Sequence, residues 1–121
     1  MLSLMMASAL ALSGRCSYPA SLGAPLMGEI RALCDGVAVR DGDEGSVIEF
    51  AHRSTTQWMR FTGALEGHRM IVRSAGSTHV AERPAHGSCT FFYKEGRISA
   101  VSCVAQAGAR SFVANFVVPQ I

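Results

Sequence analysis

Four cysteines and four histidines are the residues of this 121-residue chain whose side chains could bond a metal, a lipid, a substrate or one another. A disulfide, a zinc site and a thiolate nucleophile draw on the same residue types, so spacing decides between them. Cys89 and Cys103 bracket two runs rich in β-branched and aromatic residues, Thr90 to Tyr93 and Ile98 to Val104, around Lys94-Glu95-Gly96-Arg97. This is the pattern of a β-hairpin with a cysteine on each arm, and its register decides whether they meet. A two-residue turn at Glu95-Gly96 sets Cys89 opposite Ser102, turns Cys103 to the other face and asks Glu95 for a positive φ. A three-residue loop Glu95-Gly96-Arg97 sets Cys89 opposite Cys103, Phe91 opposite Val101 and Tyr93 opposite Ser99; a loop over Lys94-Glu95-Gly96 leaves the cysteines diagonal. The reading adopted is a Cys89–Cys103 disulfide, with two buried free thiols as the alternative.

The remaining chemistry is sparse. His52, His68, His79 and His86 stand singly, with no His-x-x-x-His or Cys-x-x-Cys spacing that would let one element supply two metal ligands. A small metal-dependent hydrolase built from these scattered histidines is the enzymatic alternative; the adopted reading has no catalytic residue, no metal and no cofactor. Asp41-Gly42-Asp43-Glu44 shares its first carboxylates with a calcium loop but lacks the later ligands, and reads as a solvated acidic turn. His86 next to Gly87-Ser88-Cys89 is no nucleophile and base if Cys89 is in a disulfide. Cys34 reads as a core residue or disulfide partner. Trp58, Arg60 and Thr62 share one face of a predicted strand, and tryptophan beside arginine is a favoured interface anchor, so these three form the candidate binding surface; core packing of Trp58 is the competing reading.

Composition is that of an ordinary globular protein, 49% hydrophobic and 17% charged, with a net charge of +2 too small for a nucleic-acid footprint. Four cysteines in so short a chain fit an oxidising compartment. The apolar run Met1 to Leu12 is too short for a transmembrane helix and has the length of a signal-peptide core, although no Lys or Arg precedes it. Residues 1–15 are read as a signal peptide, 16–28 as a tether broken by Pro19, Gly23, Pro25 and Gly28, and 29–121 as a single β-rich domain. Cys16 is a candidate for lipidation, although Arg15 stands where a lipoprotein signal carries a small residue. The alternative is a cytosolic β-domain interaction protein with residues 1–14 as a core helix.

The elements that must position these groups are short and alternate with turn signals. Leu26, Ile30 and Leu33 recur at helical spacing, predicting a short helix from Pro25 to Leu33, or else a first strand over Glu29 to Leu33. From Val37 the spacing predicts Val37 to Arg40, Ser46 to His52, Thr56 to Ala64, Arg69 to Ser74, Thr78 to Glu82, the cysteine hairpin and Arg110 to Val118, with turns at Ala75-Gly76-Ser77 and Arg83 to Gly87. That is an all-β, mainly antiparallel meander of about eight short strands, curled into a small barrel or sandwich because a flat sheet leaves edges and one face uncovered. The last strand, with Phe112, Ala114, Phe116 and Val118 against Val113 and Val117, is apolar on both faces and could pair edge to edge in a homodimer. The sequence thus predicts a small exported bacterial envelope protein, periplasmic or secreted and potentially lipid-anchored, with a non-catalytic binding or structural role. Its partner would be a protein or envelope polymer.

Overall fold

The computed structural model describes residues 8–119. Strands are β1 (Ser8–Ser13), β2 (Arg15–Cys16), β3 (Glu29–Arg31), β4 (Gly36–Gly42), β5 (Gly45–His52), β6 (Gln57–Glu66), β7 (Arg69–Ser77), β8 (Val80–Lys94), β9 (Arg97–Ala107) and β10 (Arg110–Val117). From β4 to β10 each strand pairs antiparallel with the next, the meander expected from the turn spacing. The ends of this ribbon are then brought together. β1 pairs with β4, from Ser8 opposite Asp41 to Ser13 opposite Gly36, while β2 places Arg15 opposite Val117 and Cys16 opposite Phe116 on β10. Only Gly14 separates β1 from β2, so the two act as one stave that bridges first and last strands and nearly closes a barrel. Gly14 is required there: a Cβ would collide with the Val117 carbonyl and the Phe116 ring. Closure removes the edges that a flat sheet exposes.

Alternation along each stave fills the interior. Ile48 and Phe50 of β5, Met59 and Phe61 of β6, Met70 of β7, Cys89 of β8, Val101 and Cys103 of β9, and Phe112 and Phe116 of β10 are essentially inaccessible. Phe50 and Phe61 meet edge to face with centroids 5.8 Å apart, the geometry that aromatic quadrupoles favour. The intervening Val47, Glu49, Trp58, Arg60 and Thr62 face outward at intermediate exposure.

The cysteine hairpin combines features that the two turn schemes kept apart. Its turn is the two-residue one, Glu95 and Gly96, with φ of 54° and 79° and Lys94 opposite Arg97. Yet Cys89 lies opposite Cys103, because the register shifts between Phe92 and Tyr93: Tyr93 opposes Ile98, Phe92 opposes Ala100, and Ser99 is the extra residue. A β-bulge inserts one residue into one strand and so exchanges its faces. Ser99 is tied in place, its hydroxyl donating to the Phe92 carbonyl at 3.2 Å and its carbonyl accepting from the Val118 N–H at 3.0 Å.

Other expectations are corrected. Pro25 to Leu33 is not a helix; Glu29–Arg31 is a strand, running parallel to β10, and the only helical turn among the described residues is a 3₁₀ turn over Ala20–Leu22. The helical spacing of Leu26, Ile30 and Leu33 loses to Gly28, whose φ of 83° and contact with the Ala109 carbonyl no side chain could share. The turn expected at Ala75 to Ser77 falls instead at Thr78 and His79, and the expected strands ending at Glu82 and spanning Thr90 to Tyr93 are parts of one 15-residue strand, β8, that begins at Val80. Pro84, which cannot donate to a ladder, is accommodated by register shifts between β7 and β8 at Val72/Ser74 and Ala75/Ser77. Ser8 to Cys16, within and beside the expected leader, forms the closing stave, while residues 1–7 lie outside the described residues. No helix among the described residues is long and apolar enough to cross a membrane.

Candidate functional site

The wall formed by β5, β6 and β7 carries the face expected to bind. Trp58, Arg60 and Thr62 do share that outer face, but their groups are already engaged. The Arg60 guanidinium stacks 4.6 Å from the Trp58 ring centre and reaches Glu49 at 3.3 Å and Glu82 at 3.9 Å. Glu82 accepts from the hydroxyls of Thr62 at 3.1 Å and Ser74 at 2.6 Å. Trp58 is half-buried, and its backbone is fixed by Thr78, whose hydroxyl accepts from the Trp58 N–H at 2.7 Å. Partly exposed ion pairs of this kind contribute little individually. Around Trp58, Arg60 and Thr62 the charges of Arg60, Glu49 and Glu82 of β8 are thus matched to one another.

All four cysteines are paired. Cys89–Cys103 crosses the hairpin inside the barrel, with Cα atoms 4.0 Å apart and both residues inaccessible. Cys16–Cys34, with Cα atoms 5.0 Å apart, ties the closing stave to the segment that leads into β4. A sulfur in a disulfide carries no lipid thioether, so the lipidation candidate Cys16 is corrected to a structural cysteine in this state. The histidines do not converge: His52 contacts Thr55 and Ser54 hydroxyls, His68 stacks on Tyr93 with centroids 4.8 Å apart, and His79 and His86 are exposed on separate parts of the barrel. Among the described residues no three His, Cys, Asp or Glu side chains gather as metal ligands.

The opposite wall differs. Along β9 and β10 the outward cross-strand pairs are Ser102/Asn115, Val104/Val113 and Gln106/Ser111, without one charged side chain. Beside them runs the loop 17–28. The loop and the wall enclose a groove of about 560 Å³, with Leu22, Leu26 and Met27 on the loop side. Those three and Val104 are 52%, 77%, 101% and 53% exposed, an unusual density of uncovered apolar side chains. The expected tether is therefore a built wall rather than a free strand. Ser17 exchanges two hydrogen bonds with Asn115, each 2.8 Å, and the Tyr18 hydroxyl donates to the Ala32 carbonyl at 2.6 Å. Arg31 binds Glu29 at 2.7 Å and the Gly23 carbonyl at 2.9 Å, while Glu29 also accepts from the Leu26 N–H at 3.0 Å. No family model matches the chain, and neither does any curated protein or solved structure with which it was compared. The groove was illegible in the sequence, because Leu22, Leu26 and Met27 read as helix or linker.

The anchors of this loop respond to pH in opposite directions. Burial pushes the Tyr18 phenol up to about 12, against the pull of the Asn115 backbone and Arg31. The neutral phenol is thus the form the fold prefers; its contribution is complete below the ordinary tyrosine value near 10 and is lost as pH rises through about 12. The hydrogen bond from Arg31, then that from the Leu26 N–H, hold the Glu29 carboxyl below the usual range, so its contribution is lost as pH falls through that lowered value. Spectrophotometric titration of the folded protein is expected to show a phenolate appearing near pH 12 that is missing in Tyr18→Phe. Phenolate formation complete by pH 11 in the folded protein would refute the burial assigned to Tyr18.

Proposed function

We propose that this protein is a non-catalytic binding module that works outside the cytosol, periplasmic or secreted, towards a protein or envelope-polymer partner. The observation that carries the reading is the contrast between its two walls: the charges beside Trp58, namely Arg60 with Glu49 and Glu82, satisfy one another, whereas the groove along β9 and β10 leaves Leu22, Leu26, Met27 and Val104 uncovered. Protein interfaces deplete charge at their centre and favour methionine, and a flexible thioether adapts to partner surfaces. Two disulfides in a small barrel favour an oxidising compartment. The binding surface is thereby moved from Trp58, Arg60 and Thr62 to the groove.

Two measurements on the protein recovered from its host test this. Intact mass with and without reduction before alkylation is expected to show no reactive thiol until reduction; four thiols alkylated at once would place the protein in a reducing compartment. Retention on the host's envelope fraction is expected to fall at least tenfold in a Met27→Asp, Val104→Asp variant and to persist in Arg60→Ala. The reverse ranking would return binding to the Trp58 wall.

A further inference from the structure

We propose that the open end of the barrel is a second binding site, for a small, uncharged aromatic molecule. The two ends of the barrel are built differently. At the end bearing the turn between β5 and β6, the segment Ile30 to Leu33 lies across Trp58, Met59 and His79 and leaves a crevice of about 60 Å³ beneath it. That segment is held by the bond from the Ala32 N–H to the Val113 carbonyl, 2.7 Å, and by the neighbouring Cys34 disulfide. At the other end, where β4–β5, β6–β7 and β8–β9 turn, the described residues leave a cup of about 240 Å³.

The staves line this cup with Leu10, Val39, Leu65, Phe91, Tyr93 and Ile98. Exposure falls from rim to base, from 48% at Tyr93 and 42% at Leu10 to 8% at Val39 and 7% at Phe91. Behind them Ile48, Met70 and Val101, the direct cross-strand partners of Val39, Leu65 and Phe91, are completely buried. The cup therefore has a packed back and an apolar lining, the form in which ligand sites occur in barrel mouths.

Chemistry narrows the occupant. Among the described residues no Lys, Arg or His lines the cup itself, Arg40 lying in the adjoining hollow and His68 behind Tyr93, and its one ionisable carboxyl, Asp41, accepts a hydrogen bond from the buried Ser46 hydroxyl. Inside the cup an anion would meet that carboxylate and an apolar lining, whereas a neutral apolar body has no charge to desolvate on entry. An apolar protein cavity of about 150 Å³ is sufficient to take up benzene, so 240 Å³ accommodates a two-ring system. Phe91 and Tyr93 provide ring edges and faces for a flat partner.

The full chain, with both disulfides intact, can be titrated with N-phenyl-1-naphthylamine, a neutral probe whose naphthalene is the two-ring body expected in the cup, whose added phenyl ring is left at the mouth, and whose emission rises in apolar surroundings. Saturation at one probe per chain is expected, with affinity at least tenfold weaker in Ile98→Asp and unchanged in Val104→Asp, which alters only the outer groove. The sulfonated analogue 1-anilinonaphthalene-8-sulfonate should bind at least tenfold more weakly than the neutral probe. Methyl NMR on the unaltered protein makes the test independent of how Ile98→Asp folds: shifts should move at Leu10, Leu65 and Ile98. Movement at Leu22, Leu26 and Val104 instead, an unsaturable signal, or equal affinity for the sulfonate would overturn the proposal. None of these outcomes bears on the outer groove's partner, so the two sites stand or fall separately.

Discussion

A chain shortened to begin at Ser17 is expected to lose cooperative folding. It lacks the stave formed by β1 and β2, which makes six paired positions with β4 and two with β10. It loses the packing of Leu12 and Cys16 on the core and leaves Cys34 without its partner. The disulfide alone closes a loop of sequence separation 18, for which chain entropy gives about 3 kcal/mol. Together with two uncovered sheet edges, that is on the order of the whole stability of a small domain, about 5 to 15 kcal/mol. Far-ultraviolet circular dichroism and thermal unfolding of the chains starting at Met1 and at Ser17 make the comparison. An unchanged melting temperature would show the stave to be dispensable and would support the reading of residues 1–15 as a removable leader; an unfolded or aggregated short chain means that the stave, Cys16 and its disulfide included, is needed for the barrel.

The second large effect belongs to the buried disulfide. Replacing both Cys89 and Cys103 by alanine releases a loop of sequence separation 14 and opens space between two inaccessible positions. Loop entropy of about 3 kcal/mol plus lost packing gives an expected destabilisation of roughly 3 to 5 kcal/mol. For a domain of this size that lowers the melting temperature by on the order of 10 °C or more. The two bridges should also separate kinetically. A thiol reductant added to the folded protein can reach Cys16, which is partly exposed, but not Cys89 or Cys103. Mass spectrometry after timed reduction and alkylation is therefore expected to find label on Cys16 and Cys34 well before Cys89 and Cys103. Simultaneous labelling at all four would mean that the hairpin bridge is not shielded by the barrel.

Much of the barrel was legible from period-two alternation, because most inward residues of β5, β6 and β10, namely Ile48, Phe50, Met59, Phe61, Phe112 and Phe116, are large and apolar while their neighbours include Glu49, Arg60 and Asn115. The closing stave was not legible for a specific reason. In Ala9-Leu10-Ala11-Leu12 the alternation is one of size rather than polarity, with Leu10 and Leu12 paired across from Val39 and Val37 while Ala9 and Ala11 oppose Arg40 and Ala38. Hydropathy alone registers such a run as continuous, as it does a signal peptide. The hairpin was read correctly in its bridge and in the pairing of Phe91 with Val101 but not at its turn, where Tyr93 opposes Ile98, since nothing in the identity of Ser99 announces a bulge. The face shared by Trp58, Arg60 and Thr62 was correctly placed; that Glu49 and Glu82 would occupy its charge depends on strand neighbours that only register supplies.

Because the stave at the beginning of the chain borders β10 at its end, the barrel cannot be completed until almost the whole polypeptide is available. Folds dominated by such distant pairings assemble slowly. A growing or translocating chain of this sequence therefore stays unlatched while it is threaded, and is locked only after its C-terminal strand arrives. Cys16 and Cys34 can meet early, but the stave they anchor gains its second neighbour last, so order of synthesis itself delays the final closure until β10 has been made.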